Sequence, residues 1–181
     1  HILDNLYRAL PRTEEMHDVD IIFITGDLFD HEVFMPSPDV SQVFHFIFYL
    51  FNICSTYDIV LRVLEGTPSH DWKQAKMMTA VNNNLPIPID FKHVMTLSIE
   101  HMDRFGIDVL YVPDEWGNSC SDTFIEVNQL LDENNLDKVD LAMMHGCFTY
   151  QFPVNLVGKP DVHDEKSYLD ITRYLIFIGH Y

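Results

Sequence analysis

A chain of 181 residues with a net charge of −17 is long enough to bury one sizeable core in a single domain. It is ill-suited to a broad electropositive nucleic-acid surface. A nuclease is not excluded by that charge, because bound divalent cations change the local field that a phosphate meets. The longest apolar run, Val43 to Cys54, contains His45 and Asn52 and is too short to span a bilayer, so no membrane association is expected.

In chain order, Leu3, Leu6, Tyr7 and Leu10 have helical spacing that Pro11 interrupts. Ile21 to Ile24 read as a short buried strand running into Thr25-Gly26-Asp27. A loop with Pro36 and Pro38 follows, where Ser37 or Asp39 caps a helix with one wide apolar stripe of Val40, Val43, Phe44, Ile47, Phe48, Phe51 and Cys54. Ile59 to Leu64 form a second strand, and a helix over Lys73–Val81 ends at the Asn82-Asn83-Asn84 turn. Val94–Ile99 and Val109–Val112 read as strands joined by a polar turn with Gly106. A helix starts within Asn118 to Asp122, with Phe124, Val127, Leu130 and Leu131 inward and a capping-box spacing at Thr123 and Glu126. Val139–Met144, a loop over Phe152–Pro160, a helix over Tyr168–Arg173 and a strand over Leu175–Ile178 complete the chain. Strands alternating with helices predict an α/β fold. Cys54, Cys120 and Cys147 contain no CxxC pair and read as reduced thiols in a cytoplasmic setting.

Four of these strands end in polar residues able to bind metal. The first delivers Asp27 after Gly26, and the second leads into Glu65-Gly66-Thr67-Pro68-Ser69-His70-Asp71. Leu141–Met144 lead into His145-Gly146, and Tyr174–Ile178 into Gly179-His180. The carboxyl rim of an α/β sheet is where ligands bind. Asp and His converging there suit a borderline divalent metal such as Mn, Fe or Zn. Asp27 has two oxygens with which to bridge two ions, and His145 and His180 offer imidazole nitrogens. Two ions about 3.5–4 Å apart would clamp a phosphoryl group and lower the pKa of a bridging water. His70 is placed to protonate a leaving oxygen, with Asp71 fixing its tautomer. His31, beside Asp30, is a candidate for facing substrate. Trp72, Tyr150 and Phe152 read as packing, and His17, His45, His93, His101 and His163 as surface or helix-face residues.

The blocks Gly26-Asp27-Leu28-Phe29-Asp30, Gly66…Ser69-His70-Asp71, His145-Gly146 and Gly179-His180 resemble the calcineurin-like metallophosphoesterases. That family's pattern is Asp-x-His, Gly-Asp-x-x-Asp, Gly-Asn-His-Asp/Glu, a strand-terminal His and Gly-His-x-His. Gly-Asp-Leu-Phe-Asp followed by a Pro-Ser loop is most similar to the SbcD-type DNA repair exonucleases, including phage versions. The resemblance spans nearly the whole chain and implies a sandwich of two β-sheets flanked by helices, α-β-β-α. It implies two divalent ions, Mn foremost with Fe, Zn or Mg as alternatives, and hydrolysis of DNA phosphodiesters by an exonuclease or endonuclease. It further implies an SbcC-type ATPase partner, a homodimer and the cytoplasm, the host's for a phage protein. Carried over residue by residue, Asp27 bridges the metals, His145 and His180 hold one of them, and His70 is the catalytic acid.

The chain departs from the pattern in three places. Ser69 stands where the Asn of Gly-Asn-His is expected, and a hydroxyl is a weaker neutral ligand than an amide oxygen. Only His1 is available for the opening Asp-x-His. The chain stops at Tyr181, where the second His of Gly-His-x-His would follow, so both ends are expected to cut through the motif set. Two other readings compete. One is a phosphoprotein phosphatase or small-nucleotide phosphodiesterase of the same family; the other is a non-catalytic scaffold of the same fold.

Overall fold

The computed structural model describes residues 2–33, 37–114, 117–151 and 161–180. His1, Pro36, the Phe152–Pro160 loop and Tyr181 lie outside these residues. Among the described residues the fold is mixed α/β, with seven strands in two sheets and six α-helices. In the first sheet β1 (Ile21–Ile24), β2 (Val60–Leu64) and β3 (Phe91–Val94) run parallel. The second has the order β4 (Ser98–Met102), β5 (Ile107–Val112), β6 (Val139–His145) and β7 (Thr172–Gly179), with only the β4–β5 pair antiparallel.

Parallel neighbours require crossovers. These are supplied by α2 (Asp39–Tyr57) between β1 and β2, α3 (Pro68–Asp71) and α4 (Lys76–Asn83) between β2 and β3, α5 (Cys120–Glu133) between β5 and β6, and α6 (Glu165–Ile171) between β6 and β7. The remaining helix, α1 (Ile2–Ala9), lies against the outer face of the first sheet's layer, with Leu3, Leu6 and Tyr7 packed on the α2 core.

Strand alternation sorts the apolar residues into three cores. Val60 and Leu64 of β2 meet Val109 and Tyr111 of β5 and Met143 of β6 between the sheets. Leu61 and Val63 face the other way, onto Ile47, Leu50, Phe51 and Cys54 of α2. Leu110, Val112, Ala142 and Met144 turn away from the first sheet onto Val127 and Leu131 of α5 and Tyr168 of α6. Val139 and Leu141 would share a face in a regular strand; a register irregularity between them puts Val139 in the outer core and Leu141 in the inner one.

A buried charge cluster ties the sheets together. Arg62 of β2 makes two hydrogen bonds to Glu100 of β4, Nε at 3.1 Å and Nη2 at 3.0 Å, and Nη1 donates to Asp90 at 2.8 Å. The Tyr111 hydroxyl donates to Glu100 at 2.6 Å. Burial works against the Glu100 charge, but the bonds from Arg62 and Tyr111 outweigh it and hold the carboxyl below its usual range.

Three local expectations are corrected. The segment expected as one strand over Val94–Ile99 is the passage between sheets: β3 ends at Val94 and β4 begins at Ser98. Met95 and Thr96 are exposed there, while Leu97 is buried in the outer core of the second sheet. On α2 the buried face is Phe46, Ile47, Leu50, Phe51, Ile53 and Cys54, whereas Val40, Val43 and Phe44 are only partly buried and Phe48 is 50 % exposed. A helix apolar on most sides does not specify its inward face by period alone. The start of α5 is capped by Ser119, whose hydroxyl accepts the Asp122 N–H at 3.0 Å, rather than by Thr123.

Candidate metal centre

The ends of β1, β2, β6 and β7 meet at one rim, and three motif glycines explain how closely. A Cβ on Gly26 would collide with the His145 ring, and one on Gly66 with the Asp27 backbone nitrogen. One on Gly179 would collide with Thr25. Each glycine therefore marks a contact between strand ends that a side chain would push apart. Past Gly26 (φ +86°), Asp27 itself lies in the left-handed region at φ +49°. Non-glycine residues adopt that conformation rarely, and it concentrates at functional turns.

Asp27 Oδ2, His145 Nε2 and His180 Nδ1 converge, with pairwise separations of 3.3, 3.9 and 3.1 Å. They form the one group of three or more His, Cys, Asp or Glu among the described residues whose ligand atoms come together in this way. His145 is fully buried, and its Nδ1–H donates to the Thr25 carbonyl at 2.6 Å. That bond fixes the tautomer and leaves the Nε2 lone pair directed at the cluster.

Thr67, overlooked in the sequence, completes the group. Its Oγ1 lies 3.2 Å from His145 Nε2, 3.4 Å from His180 Nδ1 and 3.4 Å from Asp27 Oδ2. The four atoms are the corners of a slightly distorted tetrahedron, and a point equidistant from them lies about 2.1 Å from each, the length of a bond from Zn to nitrogen or oxygen. The donor set therefore fits one divalent ion, and two imidazoles favour a borderline metal over Mg. The signal for Thr67 was its place directly after Gly66, the position of the Asn in Gly-Asn-His. Counting back from His70 pointed to Ser69 instead. Ser69 is exposed, because Pro68 starts the short helix α3 and winds the next residues away from the strand end. The hydroxyl that lies beside Asp27, His145 and His180 is thus that of Thr67, not that of Ser69.

His70 stands at the rim with its side chain 44 % exposed and Nδ1 3.3 Å from Asp27 Oδ2. The carboxylate beside it is that of Asp27, not that of Asp71 as the sequence suggests. Asp71 is 1 % exposed and points the other way. Its Oδ2 accepts the N–H of Asp27 at 3.0 Å and of Gly66 at 2.7 Å, and its Oδ1 accepts that of Phe29 at 3.0 Å. Burial raises the Asp71 carboxyl above its ordinary pKa, with the Phe29 and Gly66 bonds pulling down against it. Asp71 is therefore a clasp between the loops after β1 and β2. Asp27 Oδ1 adds a second link by accepting the Thr67 N–H at 2.8 Å.

Beside this clasp, Glu65 accepts the Lys73 N–H at 2.8 Å and pairs with His93 at 2.7 Å. The His93 side chain is 3 % exposed, so it is an interior residue rather than the surface one expected. His163 is likewise buried and lies 3.2 Å from the Tyr168 hydroxyl. His31 is exposed against Asp30 at 3.5 Å, and its carbonyl accepts from Gln74 at 3.1 Å. Trp72, expected to pack, is 55 % exposed. No helix among the described residues is long and apolar enough to cross a membrane. No protein-family model and no curated protein matches this chain.

Proposed function

We propose that this chain is a metal-dependent phosphodiesterase domain of the calcineurin-like, SbcD-type kind, acting on DNA. The observation that carries the reading is the convergence of Asp27, His145 and His180 from three strand ends in two sheets, with half-exposed His70 placing Nδ1 3.3 Å from the same carboxylate oxygen. A divalent ion bound there would supply Lewis-acid charge for a phosphoryl oxygen and would acidify a water for use as nucleophile. Asp27 Oδ2, His145 Nε2, His180 Nδ1 and Thr67 Oγ1 would hold it. His70 reaches solvent and delivers a proton to the departing oxygen, while Asp27 sets the orientation of its ring. A second ion, a DNA substrate, an SbcC-type ATPase partner and a homodimer rest on the sequence resemblance.

The test is hydrolysis with Mn of bis-p-nitrophenyl phosphate, end-labelled duplex DNA and a phosphoserine peptide. Cleavage of the first two with poor peptide turnover is expected. Efficient peptide dephosphorylation without DNA cleavage would overturn the nuclease reading in favour of a phosphatase. A second reading, a scaffold that keeps the fold without turnover, is favoured by the described residues gathering donors for one ion rather than two. Tight metal binding with no hydrolysis of any substrate would select it.

A further inference from the structure

We propose that Trp72 is a stacking platform for the nucleobase on the leaving-group side of the scissile phosphodiester, an inference that rests on the phosphodiesterase reading above. Trp72 closes the α3 turn that carries His70, the group assigned to the leaving oxygen. A tryptophan in an ordinary core is covered, yet this one is 55 % exposed. It is also held in place. The indole Nε1–H donates to the Ser69 carbonyl at 2.7 Å. The backbone turns at Trp72 (φ +48°) and Lys73 (φ +57°), two successive non-glycine residues in the left-handed region. Three bonds brace that turn: Lys73 N–H to Glu65 at 2.8 Å, Val33 N–H to Gln74 at 2.7 Å, and Gln74 Nε2 to the His31 carbonyl at 3.1 Å. An exposed indole fixed by a hydrogen bond and a braced turn presents a flat face without the entropic cost of ordering it on binding.

The charge of the chain indicates what that face receives. At −17, with eleven Lys and Arg in total, the protein has little capacity to grip a polyphosphate by releasing counterions. Stacking on an aromatic ring is largely independent of that term and tolerant of sequence. Two of the few cations, Lys73 and Lys76, follow Trp72 in sequence and are exposed. An exposed, fixed aromatic face on the turn that carries His70, followed in the chain by two exposed lysines, matches an unpaired nucleotide with its base on the ring. The substrate class is therefore a single-stranded or frayed end, not a fully stacked duplex interior.

The experiment compares wild type, W72A and W72F by calorimetry in Mn. The ligands are a phosphorothioate-linked tetrathymidylate and an abasic tetramer with the same linkages. Wild type is expected to bind the thymidylate about 5- to 150-fold more tightly than the abasic ligand, the affinity equivalent of one stacked base. That ratio should hold across a salt series. W72A should reduce the ratio to near one, and W72F, which keeps a ring but loses the Ser69 bond, should retain most of it. A ratio near one in wild type, or an undiminished ratio in W72A, overturns the proposal. Hydrolysis of bis-p-nitrophenyl phosphate by the same wild-type sample separates the two failures. Turnover with base-independent binding removes the stacking role alone, whereas no turnover removes the phosphodiesterase reading and the leaving-side assignment together.

Discussion

Asp71→Asn tests whether the loops of the candidate metal centre are held by a buried carboxylate. Asp71 accepts three backbone N–H groups, two at Oδ2 and one at Oδ1. An asparagine can place its oxygen toward Asp27 and Gly66, but its NH2 then faces the Phe29 N–H, donor against donor. A hydrogen bond to a charged group is worth about 1.5–3 kcal/mol, and a stranded buried N–H costs about 1–3 kcal/mol. Removing a charge whose burial is itself unfavourable returns part of this, so a net loss of about 1–3 kcal/mol is expected. Asp71→Ala would strand all three donors, at about 3–9 kcal/mol against a typical total stability of about 5–15 kcal/mol, and is expected to fail to fold. Urea denaturation of D71N with unchanged m gives the first quantity. Titration with Zn or Mn gives a second, because Asp27 and Gly66 flank the donors; affinity should fall about 10–100-fold, as when a partner behind a ligand is removed. A double-mutant comparison with H70A completes the assay. If Asp71 worked by orienting His70, D71N would add nothing in the H70A background; as a clasp, it should add its full loss of stability. A D71N protein within about 0.5 kcal/mol of wild type and with unaltered metal affinity would refute the clasp.

Thr67→Val, which keeps the shape and removes the hydroxyl, should weaken metal binding about tenfold or more, whereas Ser69→Ala should leave it unchanged; the reverse pattern would restore Ser69 as the ligand. His70→Ala should lower turnover about 10²–10⁴-fold with metal content retained, read by metal analysis beside single-turnover cleavage. Glu100→Gln should destabilise the fold by about 2–4 kcal/mol near neutral pH, somewhat below the usual cost of breaking a buried ion pair because Arg62 keeps Asp90. Glu100 has its folded pKa lowered, so its contribution is complete above the unfolded value of about 4.3 and is lost as pH falls through the depressed folded value. The gap between wild type and E100Q in thermal melts should therefore close on acidification, and a gap constant with pH would contradict the assignment.

The strand-end residues were legible because their chemistry is local. Gly26-Asp27, Gly66, His145-Gly146 and Gly179-His180 each follow an apolar run, and glycine beside a polar residue at a strand end is unusual enough to register when it recurs. Partnership across space was harder to read. Asp71 and His70 are adjacent in sequence, yet successive residues on a helical turn point about 100° apart. Adjacency thus argued for a dyad that the turn itself prevents. Thr67 was hidden because the length of the 66–71 loop can be absorbed before or after Pro68, and only the winding of α3 decides which hydroxyl stays at the rim. The Val94–Ile99 segment misled for a related reason: two β-rich pieces belonging to different sheets read as one strand when the exposed residues between them, Met95 and Thr96, are not themselves turn formers.

The central claim, that the two sheets jointly build a metal centre on Asp27, is tested most directly by calorimetric titration of Mn and Zn into chelator-treated wild type and D27N. The amide preserves the shape and hydrogen-bonding reach of the side chain but removes the negative charge among two imidazoles and a hydroxyl. The account predicts saturable, stoichiometric binding by the wild type and its loss in D27N, with the circular dichroism of the two proteins superimposable. No saturable binding by the wild type, or equal binding by a folded D27N, would contradict it.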